Sequence, residues 1–248
     1  MLAALAVVAA VATFGPPGPL APHRATLRQA EDLASAGDYA RAAATLHAAA
    51  GAAGTEAADL LVLHARMLER VRQLDEHGPG LGRRYVRYVF APTTALLPGS
   101  MSDLVELLPH DPGLQALLAT PWSVDVETEG RAVGLLLRGA LVDTGRRRGL
   151  PLLSSPAGTT LRVFVDLDPV DRRHSILEGT GMHSYTTSVV VALERDGAVA
   201  LDNGVVVQLL GINATRAIDA NRERLVDRIL NGVVVELVRR SLLGSLAP

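Results

Sequence analysis

The chain has 248 residues, a formal net charge of −2, 48% apolar residues and only 3% aromatics, so a sizeable core must be filled by Ala, Val and Leu. All 24 basic residues are Arg and 26 acids outweigh them, which leaves no net basic field for nucleic acid, and few rings for base stacking. The absence of Cys excludes disulfides, thiolate metal sites, cysteine nucleophiles and a lipid-bearing cysteine in this chain.

Residues 1–14 are almost entirely Ala, Val and Leu and lead into Gly15-Pro16-Pro17-Gly18-Pro19. The run is shorter than the roughly 20 apolar residues of a membrane-spanning helix. It has the length of a signal-peptide apolar region, with Ala10-Val11-Ala12 as a small-residue cleavage site. No Arg precedes it, so a start further upstream, or a buried helix, stays open beside export. Residues 15–24 read as a linker.

Residues 25–77 read as helical. Ala30, Leu33, Gly37-Asp38-Tyr39, Ala42, Leu46 and Ala49 stand at the spacing of a tetratricopeptide repeat, which this segment resembles. The Gly-Asp-Tyr turn would reverse the chain between two helices, and the small alanines would let them approach closely. Glu56 to Leu74 predicts a further helix with Leu60, Leu61, Leu63, Met67, Leu68 and Val71 on its apolar side. A lone repeat cannot bury its own face, so an ordinary helical hairpin stays open as the alternative. Gly78-Pro79-Gly80-Leu81-Gly82 lacks the preceding strand and the Gly-Lys-Ser/Thr ending of a phosphate loop. Residues 78–121 are expected to form an irregular connector, with one short helix at Met101 to Leu108.

Residues 122–245 change character. Ser123 to Thr128 alternates as a short strand, and Arg131 to Val142 carries a helical stripe (Ala132, Val133, Leu136, Leu137, Ala140, Leu141) ended by Gly145. Leu150 to Ser154 predicts a second strand. Leu161, Val163, Val165 and Leu167, alternating with Arg162, Phe164, Asp166 and Asp168, predict a third. Tyr185 to Leu193 alternates again, Asp196-Gly197 supplies a turn, and Val199 to Leu210 continues as strand, interrupted at Asp202-Asn203-Gly204 by a turn or bulge. One long amphipathic helix follows, with Ile218, Leu225, Val226, Ile229, Leu230, Val233, Val234, Leu237, Val238 and Leu242 on one stripe. Asn213 or Thr215 caps its start and Gly244 stops it. The fold class is α+β: an N-terminal helical hairpin, then a helix-on-sheet sandwich with a long C-terminal helix.

The segments "GLPLLSS", "TLRVFVDLDP", "YTTSVVVALERDGAVALDNGVVVQLL" and "NATRAIDANRERLVDRILNGVVVELVRRSLL" follow an opening strand and helix in an order that resembles the lipopolysaccharide-assembly lipoprotein (LptE) family. The resemblance covers roughly Trp122 to Leu243. It implies a plug-like module seated inside an outer-membrane β-barrel, helping that partner receive lipopolysaccharide. Members of the family carry a lipidated Cys after the signal peptide, and they usually consist of the plug module alone. This chain has no Cys and places a repeat-like region first. The curli-secretion (CsgG) family and the N-terminal domain of the TolB family are similar in layout.

Candidate chemistry is sparse. Asp166, Asp168 and Asp171 have an Asp-x-Asp form, but Asp166 and Asp168 would lie on the solvent face of a strand that ends at Pro169, and His174, Glu178 and His183 match no zinc-ligand spacing, so no metal is expected. Ser154, Ser155 and Ser184 lack a nucleophile elbow. No cofactor is expected, and no enzyme. Asn213-Ala214-Thr215 has the form of a glycosylation acceptor but fits a helix cap better. Arg146-Arg147-Arg148, between the first helix and second strand of this half, and Arg172-Arg173 in a later loop are the candidate ligand-binding residues. Guanidinium pairs bidentately with phosphate, so either cluster suits a glycolipid phosphate or an anionic headgroup, while solvated arginines balancing a helix end are the plainer alternative. The expectation is a non-enzymatic envelope protein, in the periplasm or on the periplasmic face of the outer membrane. It would assist outer-membrane assembly or lipopolysaccharide export by docking to an outer-membrane β-barrel protein. The alternative is a periplasmic scaffold of CsgG or TolB type, its repeat-like region binding a partner.

Overall fold

The computed structural model describes residues 18–78, 80–91, 97–128, 130–169, 183–195, 198–211 and 213–244. The signal-peptide run and the Asp196-Gly197 turn lie outside them. The chain forms two compact units, one of residues 18–91, 102–114 and 237–244, the other of residues 97–101 and 115–236. It is α+β, as its alternating and helical periodicities predict.

The first unit is helical. A 3-10 turn at Ala21–His23 leads into α1 (Arg24–Ser35), followed by α2 (Tyr39–Ala50), α3 (Thr55–His77) and α4 (Leu81–Phe90). The reversal between α1 and α2 follows the Gly-Asp-Tyr logic. Gly37 takes a left-handed φ of 90°, which costs a glycine nothing sterically. The Asp38 carboxylate accepts the Arg41 backbone N–H at 3.3 Å and so caps α2. Ala30, Ala34, Ala42 and Leu46 are fully buried where the two helices meet. Gly82, in the first turn of α4, is held close to α3 and α2. A Cβ there would lie 2.8 Å from Asp75 Cβ and 2.9 Å from the Tyr39 hydroxyl.

Residues 78–121 are not the irregular connector that their Pro and Gly content suggests. They hold α4, α5 (Ser100–Leu107), a 3-10 turn at Leu108–His110 and α6 (Pro112–Ala119). Pro109 lies in the 3-10 turn and Pro112 opens α6, where the missing N–H costs nothing. In α6 the Asp111 carboxylate accepts the Leu114 N–H at 3.0 Å.

The second unit is built on a five-stranded mixed sheet of β1 (Trp122–Thr128), β2 (Leu152–Leu153), β3 (Thr159–Pro169), β4 (His183–Arg195) and β5 (Ala198–Gly211), in the order β2-β1-β3-β4-β5. β1 runs parallel to β2 and β3, and β3, β4 and β5 are antiparallel neighbours. Between β1 and β2 lies α7 (Arg131–Arg147), the helix of a βαβ crossover. Register aligns the apolar half of each alternation on one face, where Val124, Leu161, Val163, Val165, Val189, Val191, Leu193, Val207 and Leu209 are buried. Asp125, Glu127, Asp166 and Ser188 on the other face are exposed, and Arg162 pairs there with Glu194 at 3.0 Å. The helices after the sheet are α8 (Ala214–Ala220) and α9 (Arg222–Leu243). The apolar stripe of α9, Leu225, Val226, Ile229, Leu230, Val233 and Val234, is buried as its spacing requires.

Three local expectations differ from the structure. Gly145 does not end α7, which runs to Arg147. A Cβ at Gly145 would fall 2.3 Å from Leu152 Cδ1, so this glycine lets helix and strand meet, and Gly149, at φ 85°, makes the stop. Asp202-Asn203-Gly204 does not interrupt β5. Leu193 pairs with Leu201 and Glu194 with Val199, which places the one-residue bulge at Ala200. The C-terminal stripe is two helices rather than one. Asn221 leaves helical geometry at φ −113°, ψ 14°, and its side-chain amide donates to Ala217 O at 2.8 Å. Among the described residues no helix is long and apolar enough to cross a membrane.

Candidate functional site

Arg146, Arg147 and Arg148 form the last turn of α7 and its C-cap. The helix end is closed by its own backbone: Gly149 N–H donates to Arg146 O at 3.0 Å and Leu150 N–H to Gly145 O at 2.9 Å. The guanidinia are therefore not needed as caps. Arg148 pairs with Asp227 of α9 at 2.6 Å, and Arg147 donates to the Thr144 hydroxyl at 3.1 Å. Arg146 and Arg147 are exposed and adjacent. With Arg148 paired to Asp227, the exposed tip sets Arg146 and Arg147 against the partial negative charge of the helix C-terminus and the exposed Asp143 one turn back. Arg172 and Arg173 lie outside the described residues, so the structure brings together three of the five candidate arginines, one of them tied up in an ion pair.

Asp166 is exposed on β3. Asp171, His174, Glu178 and the side chains of Asp168 and His183 are outside the description. Among the described residues no three His, Asp or Glu side chains converge as metal ligands. Ser154 and Ser155 are exposed in the turn after β2. At the glycine-rich turn before α4, the position an anion would take is filled by Asp75, whose Oδ1 accepts Gly80 N–H at 2.9 Å and Gly82 N–H at 3.0 Å.

Two features were not read from sequence. In the sheet unit, α7 and α8 flank a groove of about 190 Å³. Buried Val133, Leu137 and Ile218 line it together with Leu136, and Arg216, Asp219 and Arg222 border it. Leu136 and its neighbour Leu135 are 52% and 58% exposed, unusual for large apolar side chains on a packed helix. Asp219 lies 3.9 Å from Arg216 and 3.6 Å from Arg222, so one carboxylate faces two guanidinia. The Leu136 stripe is legible in sequence, but the α8 side of the groove depends on the break at Asn221.

The second feature is a polar cluster in the helical unit. The buried Asp103 carboxylate accepts the Tyr88 hydroxyl at 2.6 Å and the Arg87 guanidinium, and its backbone carbonyl accepts the Tyr85 hydroxyl at 3.0 Å. Burial, and then the Asp103 charge, push both phenols well above the ordinary tyrosine range. Arg239 donates through Nε to Tyr88 O at 2.9 Å and also reaches Ala91 O. His64 donates from Nδ1 to Leu60 O at 2.7 Å and lies beside the Phe90 ring. Its burial pushes the imidazole pKa down, with the Arg239 charge adding to the effect. Most of these groups find a partner, several of them on another helix, which makes the cluster a fastening rather than a reactive centre, although Arg87 Nε is buried without a hydrogen bond among the described residues.

No family model matches this chain, so neither the lipopolysaccharide-assembly nor the tetratricopeptide likeness has a matching model behind it. No curated protein matches it either. A solved structure from Caulobacter crescentus CB15, provisionally named a lipoprotein, aligns with 50% of this chain and 87% of its own at 20% identity. Its TM-score is 0.25, a likeness that defines neither family nor role.

Proposed function

We propose that this chain is a non-catalytic protein of the cell envelope, held at the periplasmic face of the outer membrane. There it assists outer-membrane assembly or lipopolysaccharide export by docking to a β-barrel partner and holding an anionic glycolipid headgroup. The observation that supports this reading best is the exposed Arg146-Arg147 pair on a helix tip already closed by backbone hydrogen bonds. Two exposed guanidinia, Arg147 donating to the neighbouring Thr144 hydroxyl, suit bidentate capture of a phosphate. The test compares binding of the full chain to lipopolysaccharide before and after removal of its phosphates. Binding should weaken at least tenfold on dephosphorylation and again in the Arg146→Ala/Arg147→Ala variant, with a steep salt dependence. Equal binding to both forms would refute the headgroup role.

A second reading, a periplasmic scaffold of CsgG or TolB type, draws on the outer face of α1. Ala25, Arg28, Gln29, Asp32, Leu33 and Ala36 border a shallow depression at helical spacing, where a repeat array would stack its next unit. Stable copurification with a soluble periplasmic protein, lost in Leu33→Asp, would favour it.

A further inference from the structure

We propose that the α7–α8 groove takes one acyl chain of an anionic lipid, whose phosphate is held at the rim by Arg216 and Arg222. This deepens the envelope reading and rests on it, but it concerns different residues from the headgroup site at the tip of α7.

Size comes first. At about 190 Å³ the groove is smaller than the roughly 300–1,000 Å³ that encloses a whole small molecule, so it suits a single slender apolar chain. Its lining is buried hydrocarbon, and Leu136 at its edge is half exposed. An acyl chain lying against Leu136 would remove that surface from water. The charge at the border supplies the second half of the match. Two guanidinia share one carboxylate, which leaves a net positive charge beside an apolar slot. That combination complements a molecule with one apolar end and one anionic end.

An apolar helix of a protein partner is the competing occupant. Covering the groove with protein would bury Arg216, Asp219 and Arg222 together with one charge unbalanced, a costly arrangement. Against a lipid the same side chains stay at headgroup level, hydrated and paired with phosphate. Exposed arginines elsewhere on α7, Arg131 in its first turn and Arg146-Arg147 in its last, give the helix positive charge at both ends of its apolar stretch, as an interfacial helix requires.

The experiment is flotation of the full-length protein with vesicles of phosphatidylcholine alone or mixed with phosphatidylglycerol. The protein should float with the anionic vesicles and not with the neutral ones. Leu136→Asp, and the pair Arg216→Ala/Arg222→Ala, should each lower the bound fraction about tenfold or more, and Leu136→Ala should lower it less. Leu135→Asp, equally exposed but outside the groove lining, should stay within about threefold of the parent. Thermal melting of each variant separates lost binding from lost folding. Equal losses at Leu135 and Leu136 would mean adsorption to a surface patch and would overturn the groove. So would unchanged binding in the Arg216/Arg222 variant. A loss confined to Arg146→Ala/Arg147→Ala would likewise overturn it while leaving the headgroup reading standing. Failure of every vesicle to bind, with a barrel still copurifying, would remove the lipid slot and not the docking role.

Discussion

Arg148, Arg147 and Arg146 are consecutive and chemically identical, yet among the described residues only Arg148 has an acidic partner, Asp227 at 2.6 Å. The Asp227 side chain is 56% exposed, so solvent screens the pair and Arg148→Ala should cost no more than about 1 kcal/mol in chemical denaturation. Asp103 is the opposite case. At 4% exposure it answers a phenol and a guanidinium, and Asp103→Ala strands both. The Arg87 side chain is 37% exposed, which moderates the penalty to about 2–3 kcal/mol. A urea midpoint within error of the parent would contradict the fastening role. His64 gives a pH signature. Its folded pKa lies below the unfolded value of 6.5, so the unfolded chain binds the proton more readily. The stability that neutral His64 contributes is fully present above about pH 6.5, and it falls as pH drops from there through the lowered folded value. His64→Gln should flatten the loss of stability measured between about pH 7 and pH 5, and an unchanged slope would show the imidazole to be irrelevant. Of these residues only the arginine run was visible in sequence. Tyr88 and Asp103 are 15 residues apart on two helices of which only the second was expected, and His64 feels the charge of Arg239, from the other end of the chain.

At the level of elements, alternation predicted the strands, because each β-strand of the antiparallel part buries only one face, and helical spacing predicted the helices apart from α4, α6 and the break between α8 and α9. The errors fell where a glycine or asparagine does something other than its commonest job. Gly145 was read as a helix stop because glycine usually ends helices, but its role is close approach to Leu152, a contact between elements that local pattern cannot reveal. The apolar stripe skips from Ile218 to Leu225, with Asn221 and Arg222 where its next residues would fall, and the helix breaks at that gap, with Asn221 bonded to Ala217 O. Gly211 makes a sharper claim. A Cβ there would sit 2.5 Å from Ala217 N and 2.6 Å from Ala217 Cα, backbone atoms that cannot turn aside. Gly211→Ala should therefore displace α8 from β5, lower stability by about 1–3 kcal/mol or more, and disturb the groove beside α7. Asn213→Ala removes the cap that accepts Arg216 N–H at 2.9 Å and should cost about 1 kcal/mol, without the steric displacement. Thermal melts of the two variants should rank Gly211→Ala the lower.

At the scale of the whole molecule, the α+β class and the order of elements were legible, whereas the grouping of residues into units was not. Residues 237–244 belong with the N-terminal helices and residues 102–114, although the sequence separates them by the whole sheet. Such long-range grouping is decided by side chains such as Arg239 and Asp103 that find partners across the chain, and no local period encodes it. The proposed envelope role rests on the surface that the sheet unit presents: an arginine-tipped helix and, beside it, an apolar groove bordered by arginines. The most direct measurement is a pull-down of the tagged full-length protein from detergent-solubilised envelopes, with bound proteins identified by mass spectrometry. An outer-membrane β-barrel recovered in near-equal amount is the expected result. Recovery of soluble periplasmic proteins alone would contradict barrel docking and favour the scaffold, and finding the protein only in the cytoplasm would contradict both.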